Sequence, residues 1–272
     1  MNVQDVLTQA RLLRVSDGEQ INIMPTPDGE TSGRPLLLLI WPQLGDFDSL
    51  EYAWWLQKER DTLNSFNVEV RAVGIGDRAS GQKFCEFTGF PSTHLWVDPA
   101  AELHRQLGLY EGLSLKLPAA SASTNAYFNL LLMCAGIGSP GTLKEVFRGY
   151  LGDRRAPQLI ADLETVKAVP LPPIKGSFFR FAGGRGFQRP FELATLRLRN
   201  MTEVLGNWST YVPDATYITQ RGATFLFSSN GELLFEHRDR NLLGFSPHMA
   251  QPLSFLGDYL QPTLANCPSS VI

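Results

Sequence analysis

Residues Leu36 to Trp41 read LLLLIW, six large apolar side chains with no polar interruption. A half-exposed strand would alternate, and a buried helix would need a longer run. So short a block predicts a strand buried on both faces of a parallel sheet. The loop PQLGDFDS follows, and Asp48 or Ser49 is placed to cap a helix from about Leu50 to Leu63, with Glu51 in its acidic first turn. The pattern then repeats. Val68 to Ile75 is a second β-branched run, followed by a turn at Gly76-Asp77 and a helix from about Ser80 to Thr88. His94 to Val97 is a third, shorter strand, and Ala101 to Leu107 a helical piece ending at Gly108. Strands alternating with helices across short loops imply a parallel core with right-handed crossovers.

The flanks are less regular. Residues 1–33 read as a short amphipathic start, a turn at Asp17-Gly18 and a loop holding Pro25, Pro27 and Gly29. After residue 110 the alternation stops for about a hundred residues. Asn125 to Ala135 is apolar and helical, Pro140-Gly141 breaks it, and Thr142 to Leu151 resumes a helical pattern. Beyond the glycine- and arginine-rich loop GSFFRFAGGRGF, Pro190 opens a helix. Phe191, Ala194, Leu198, Met201, Leu205 and Trp208 are spaced as its apolar stripe. Ala223 to Phe227, Asn230-Gly231 and Glu232 to His237 read as a β-hairpin. A final helix is expected over about His248 to Leu260.

This order predicts an α/β fold: a thioredoxin-like central mixed sheet flanked by helices, with a large, mainly helical insertion before the C-terminal β-hairpin. The expected divisions are 1–110 for the first part of the domain, 111–218 for the insertion, 219–261 for the completing hairpin and helix, and 262–272 for a tail.

A chain that is 43% hydrophobic and 19% charged has material for a core and too little charge for disorder. Its net charge of −3 gives no global attraction to nucleic acid or anionic lipid, so no nucleic-acid partner is expected. Cys85, Cys134 and Cys267 lie far apart and form no C-x-x-C pair, which suits a reducing compartment. The N-terminus lacks the apolar core of a signal peptide, and no run approaches the roughly 20 residues of a membrane span. A soluble, cytoplasmic protein is expected.

The stretch from about Ala10 to Leu109, joined to Arg221 through Leu256, resembles the peroxiredoxin-like members of the alkyl hydroperoxide reductase and thiol-specific antioxidant (AhpC/TSA) family. QRPFELATLRLRNMTEVL and RGATFLFSSNGELLFEHRDRNLLGFS are similar to versions from cyanobacteria and chloroplasts. The resemblance implies a Gly-Cys-x-x-Cys element at the start of the first long helix, where this chain reads Gly45-Asp46-Phe47-Asp48-Ser49. The glycine matches; Asp46 and Ser49 stand at the two cysteine positions. Many peroxiredoxins carry an arginine facing the thiolate, just before the strand that enters the hairpin, and Arg221 stands at that place.

Peroxide reduction needs a thiolate activated by a helix N-terminus and a nearby cation. Asp46 has no sulfenic state to enter, and Ser49 has no histidine close in sequence to act as its base. Asp46 and Asp48 admit two readings. One pairs a carboxylate with Arg221 across the pocket. The simpler one makes Asp48 the helix N-cap and Asp46 a solvated loop residue. Cys85 and Cys134 both fall in apolar segments that read as core, yet either is the candidate if a displaced thiol acts. His94, His104, His237 and His248 lack metal-ligand spacing, and no metal or cofactor is implied.

Three further features suggest binding. Phe179 and Phe187 interleave with Arg180, Arg185 and Arg189 in a segment that could grip an anion, a nucleotide stack or a lipid headgroup, although a flexible loop whose aromatics tuck under the insertion explains it more simply. Arg197 and Arg199 beside Glu192 and Glu203 read as a solvated helix face. Asn125 to Ile137 is apolar enough for a groove or a membrane surface, although core packing explains it more simply. Trp54 and Trp55 are adjacent, so one of the two indoles is left for a contact surface.

The expectation that follows is a non-catalytic thioredoxin-fold protein that binds a protein partner. The resemblance implies a photosynthetic membrane complex, with an assembly or protective role and a place peripheral to the thylakoid membrane. The alternatives are a thiol oxidoreductase using Cys85 or Cys134, and small-molecule or lipid binding beside Arg221.

Overall fold

The computed structural model describes residues 2–25, 33–152, 158–180 and 189–262. Helix α1 (Val3–Gln9) leads into a hairpin of β1 (Arg11–Arg14) and β2 (Gln20–Asn22). Strand β3 (Leu36–Gln43) is followed by α2 (Phe47–Lys58), α3 (Arg60–Ser65), β4 (Glu69–Ile75), α4 (Arg78–Thr88), β5 (Leu95–Val97) and α5 (Glu102–Gln106). Then come α6 (Ala122–Cys134), α7 (Thr142–Leu151), the short pair β6 (Thr165–Val166) and β7 (Ile174–Lys175), α8 (Arg189–Gly206) and α9 (Trp208–Tyr211). Strands β8 (Ala223–Phe227) and β9 (Leu233–Arg238) and helix α10 (Leu256–Tyr259) close the chain.

The main sheet has seven strands in the order β2-β1-β5-β4-β3-β8-β9. Strands β3, β4 and β5 run parallel, while β8 lies antiparallel beside β3 and β9 beside β8. This mixed sheet flanked by helices is the expected thioredoxin-like arrangement. The run Leu36 to Trp41 is buried throughout, and its alternate residues feed two cores. Leu37, Leu39 and Trp41 join one cluster with Trp55, Phe84 and Leu193. Leu36, Leu38 and Ile40 join another with Leu7, Trp96 and Phe225. A strand with helices on both faces has no solvent side, which is why the sequence shows no alternation there.

Several local expectations are corrected. The first long helix begins at Phe47 and is capped by Asp46, not by Asp48 or Ser49; Asp46 holds the extended backbone of an N-cap and its carboxylate accepts the Asp48 N–H at 2.9 Å. Glu59 then separates α2 from α3, so the expected single helix is two. The hairpin β1–β2 was not apparent, because two edge strands of four and three residues, RLLR and QIN, are too short to show a period. The expected C-terminal helix shrinks to α10: Pro252 has no N–H to donate, and its carbonyl accepts the Ser246 hydroxyl at 2.8 Å.

Helix α8 is present, but its buried face is not the expected stripe. Phe191, Met201 and Leu205 are exposed, whereas Glu192, Leu193, Thr195, Leu196, Asn200 and Val204 face inward. Nor are its charges a solvated face. The Glu192 carboxylate accepts the backbone N–H groups of Leu159 and Ile160 at 3.1–3.2 Å. Arg197 forms a two-pronged pair with Glu51 of α2, at 2.8 and 3.1 Å. Arg199 lies over the Phe87 ring. Polar side chains with ready partners have taken core positions that the hydrophobic pattern assigns to the opposite face.

Candidate functional site: an arginine enclosed by carboxylates

The turn after β3 delivers Asp46 and Asp48 to the head of α2, with the Asp46 N–H donating to the Gln43 carbonyl at 2.8 Å. Gly45 fits closely beneath α9: a Cβ there would stand 2.9 Å from the Tyr211 Cβ. Arg221 reaches the same place from the residues just before β8, where its backbone N–H donates to the Tyr110 carbonyl at 2.8 Å. Gly222 follows it, and a Cβ at that position would fall 2.1 Å from the Ile40 carbonyl oxygen. Only glycine lets β8 approach β3 this closely behind the arginine.

The Arg221 side chain is fully buried. Its Nη2 donates to Asp46 Oδ2 at 2.7 Å and its Nη1 to Asp48 Oδ2 at 3.3 Å. Nε donates to the Thr219 carbonyl at 3.1 Å, and Nη2 also to that of Ile218 at 3.2 Å. The other oxygen of Asp48 accepts the Leu243 N–H at 2.8 Å, which ties the segment after β9 to the head of α2. The reading that pairs a carboxylate with Arg221 therefore describes the geometry. The solvated-loop reading of Asp46 is corrected: its exposure is 8%, and that of Asp48 is 1%. A buried guanidinium requires compensating charge, and these two aspartates lie within reach of it.

A third carboxylate, Asp239 at the end of β9, is also buried and lies close enough to interact electrostatically with Asp48 and Arg221. Burial raises its pKa well above the ordinary carboxylate range, and the charge of Asp48 adds to the effect. Burial, reinforced by neighbouring Asp46, pushes Asp48 up to about 8. For Arg221, burial opposes the charge but the carboxylates of Asp46 and Asp48 outweigh it, and its pKa rises. Burial beside neighbouring carboxylates therefore favours the protonated forms of Asp48 and Asp239. Among the described residues no group of three His, Cys, Asp or Glu side chains is disposed to hold a metal ion; here the carboxylates converge on a guanidinium instead. Sequence reasoning missed Asp239, because no motif marks a strand-end aspartate that folding carries beneath α2.

Ser49, at the second cysteine position, is fully buried and donates its hydroxyl to the Gln43 carbonyl at 2.8 Å. Cys85 is half-buried and burial pushes its thiol up to about 12. Cys134 is exposed, which corrects the expectation of a core thiol. It lies near enough to feel Asp46, Arg221 and Asp48, and burial of its sulfur together with the Asp46 charge raises its pKa. Cys267 lies outside the described residues.

The expected aromatic–arginine grip is not assembled by the residues that are described. Phe179 is fully buried in the main core, and Arg180 pairs with Asp162. Arg185 and Phe187 lie outside the described residues, as does the side chain of Arg189. Of the two indoles, Trp55 enters the core and Trp54 stays half-exposed with Lys58 over its ring at 5.4 Å.

The mixed sheet, its flanking helices and its C-terminal hairpin define a thioredoxin-like protein. The AhpC/TSA antioxidant enzyme family matches residues 55–241, well over half the chain, and this protein belongs to that family. The match begins at Trp55 and includes Arg221, but the turn from Gly45 to Ser49 precedes it. No curated protein matches the chain.

Proposed function

We propose that this protein is a non-catalytic member of the AhpC/TSA family, serving as a binding, assembly or protective factor. The observation that carries the reading is the pairing of Arg221 with Asp46 and Asp48 inside the protein. An arginine that activates a thiolate must present its charge to sulfur and to peroxide. Here that charge is spent on two carboxylates, and Ser49 is bound to backbone. The guanidinium is fully buried, which supports a binding surface elsewhere on the protein. The family scaffold persists while its site serves stability. Likeness of the α8 and hairpin segments to cyanobacterial and chloroplast versions supports a partner in a photosynthetic membrane complex.

The second reading, a displaced thiol, is favoured by one observation: Cys134 is exposed and close to Arg221. The elevated pKa argues against it, since little thiolate is present at neutral pH. Reduced protein titrated with hydrogen peroxide under anaerobic conditions, with mass spectrometry of Cys85, Cys134 and Cys267, separates the two. Slow, unselective oxidation is expected. Rapid conversion of one thiol to a sulfenic acid or a disulfide would overturn the non-catalytic reading.

A further inference from the structure

Helix α6 buries only Ala126, Asn129 and Met133, which corrects the core-packing expectation for Asn125 to Ile137. Helix α7, by contrast, walls a cleft of about 260 Å³ together with the head of α2 and one side of α8. Phe47, Tyr150, Leu193, Leu198 and Met201 give the cleft apolar walls. Phe47, Tyr150 and Met201 are exposed whereas Leu193 is buried, so the cleft is open to solvent on one side and reaches the core on the other. Phe47 stands between Asp46 and Asp48, so an occupant of the cleft lies against the turn that heads α2.

One charged side chain enters this apolar setting. Arg197 of α8 grips Glu51 side-on, through Nε at 2.8 Å and Nη2 at 3.1 Å. That geometry leaves Nη1 on the far side of the guanidinium, where it has no hydrogen-bond partner among the described residues. A Cβ added at Gly149 of α7 would stand 3.6 Å from Nη1 and 3.6 Å from Leu193 Cδ1. Nη1 therefore lies beside the bare backbone of Gly149, and both residues line the cleft. Glycine inside a helix is destabilising relative to alanine. Here it leaves space in front of the guanidinium that a larger side chain would occupy.

The size and chemistry of the space identify what it takes. An apolar cavity of ~150 Å³ holds benzene, so a cleft of about 260 Å³ suits one aromatic ring with a short substituent. Aromatic and thioether walls at Phe47, Tyr150 and Met201 favour such a ring. Nη1 is a donor only, so the substituent must accept a hydrogen bond. Glu51 already neutralises the guanidinium, so an uncharged carbonyl fits there better than a second carboxylate. We propose that the cleft between α2, α7 and α8 binds a small, uncharged aromatic carbonyl compound, with its ring among Phe47, Leu198 and Met201 and its oxygen on Arg197 Nη1. The assignment goes beyond a surface for a protein partner and stands independently of whether the Arg221 site is catalytic.

The test is a titration of the full chain, carrying methyl-labelled methionine, with acetophenone, ethylbenzene and benzoate, followed by nuclear magnetic resonance. Acetophenone is expected to shift the Met201 methyl signal while those of Met24, Met133 and Met249 stay in place. It should bind about tenfold more tightly than ethylbenzene, which lacks the acceptor for a charged donor. Benzoate should bind more weakly than acetophenone. Gly149→Leu fills the space in front of Nη1 and should abolish the Met201 shift, with Gly149→Ala weakening binding less. The comparison of the three compounds uses the unaltered protein, so it decides the matter even where a variant unfolds. No Met201 shift with acetophenone, equal affinity for ethylbenzene, or tighter binding of benzoate overturns the proposal, as does acetophenone binding that survives in folded Gly149→Leu.

Discussion

Arg221 Nη2 stands 2.7 Å from Asp46 Oδ2, and both groups are withdrawn from solvent. Replacing the arginine by a neutral residue of similar length leaves Asp46 and Asp48 buried without the guanidinium that donates to both. Arg221→Met should therefore cost about 3–5 kcal/mol in equilibrium urea unfolding. The double variant Arg221→Met, Asp46→Asn should recover part of that loss, since asparagine retains the N-cap while removing one charge. Strictly additive losses would mean that the pair is not coupled.

The arginine and its partners were legible unequally. Arg221 and Gly45 could be found because the family pattern points to them, and Asp46 and Asp48 because they stand in the same turn. The carboxylate–arginine contact could not be chosen over a solvated loop. N-cap preference is local and visible in sequence, whereas burial depends on how far β8 presses against β3, and that rests on Gly222. Asp239 was invisible for the same reason. The strands of the parallel core announced themselves through unbroken apolar runs. The face of α8 did not, because Glu192, Thr195 and Asn200 mimic an exposed stripe while lying inside.

The raised pKa of Asp48 makes stability depend on pH. In the unfolded chain the group ionises near its ordinary value of 3.8, and in the folded protein near 8. Between these values the unfolded state binds fewer protons, so the contribution of Asp48 to stability falls as pH rises through this window. Asp48→Asn removes the slope and keeps an acceptor for the Leu243 N–H. The stability of the variant relative to the parent should rise by at least about 1 kcal/mol between the two ends of the window and level off above it. Unfolding midpoints at several pH values measure this. A relative stability that is flat or falls with pH would place the titration on another group.

The cysteines should differ in reactivity by position and not by activation. Cys134 is exposed, whereas burial of Cys85 pushes its thiol up to about 12. Iodoacetamide at neutral pH should label Cys134 first, with Cys85 at least about tenfold slower because it combines a smaller thiolate fraction with poorer access. In urea the two rates should converge. Mass spectrometry of timed samples gives both rates, and faster labelling of Cys85 in the folded protein would show that its thiol is activated.

Glu192 is the clamp between α8 and the chain that precedes β6. Its carboxylate accepts the N–H groups of Leu159 and Ile160 at 3.1–3.2 Å, and all three residues are buried. Glu192→Ala removes the acceptor and leaves two backbone donors without the partner that satisfies them, at a cost of about 2–3 kcal/mol. Glu192→Gln keeps one acceptor oxygen and should lose about half as much. A general loss of packing would affect the whole domain, so the distinguishing readout is local: amide hydrogen exchange at Leu159 and Ile160 should accelerate while that of β3 and β4 follows only the change in global stability. Unchanged exchange at those two amides would show that the Glu192 carboxylate is not what holds this segment against α8.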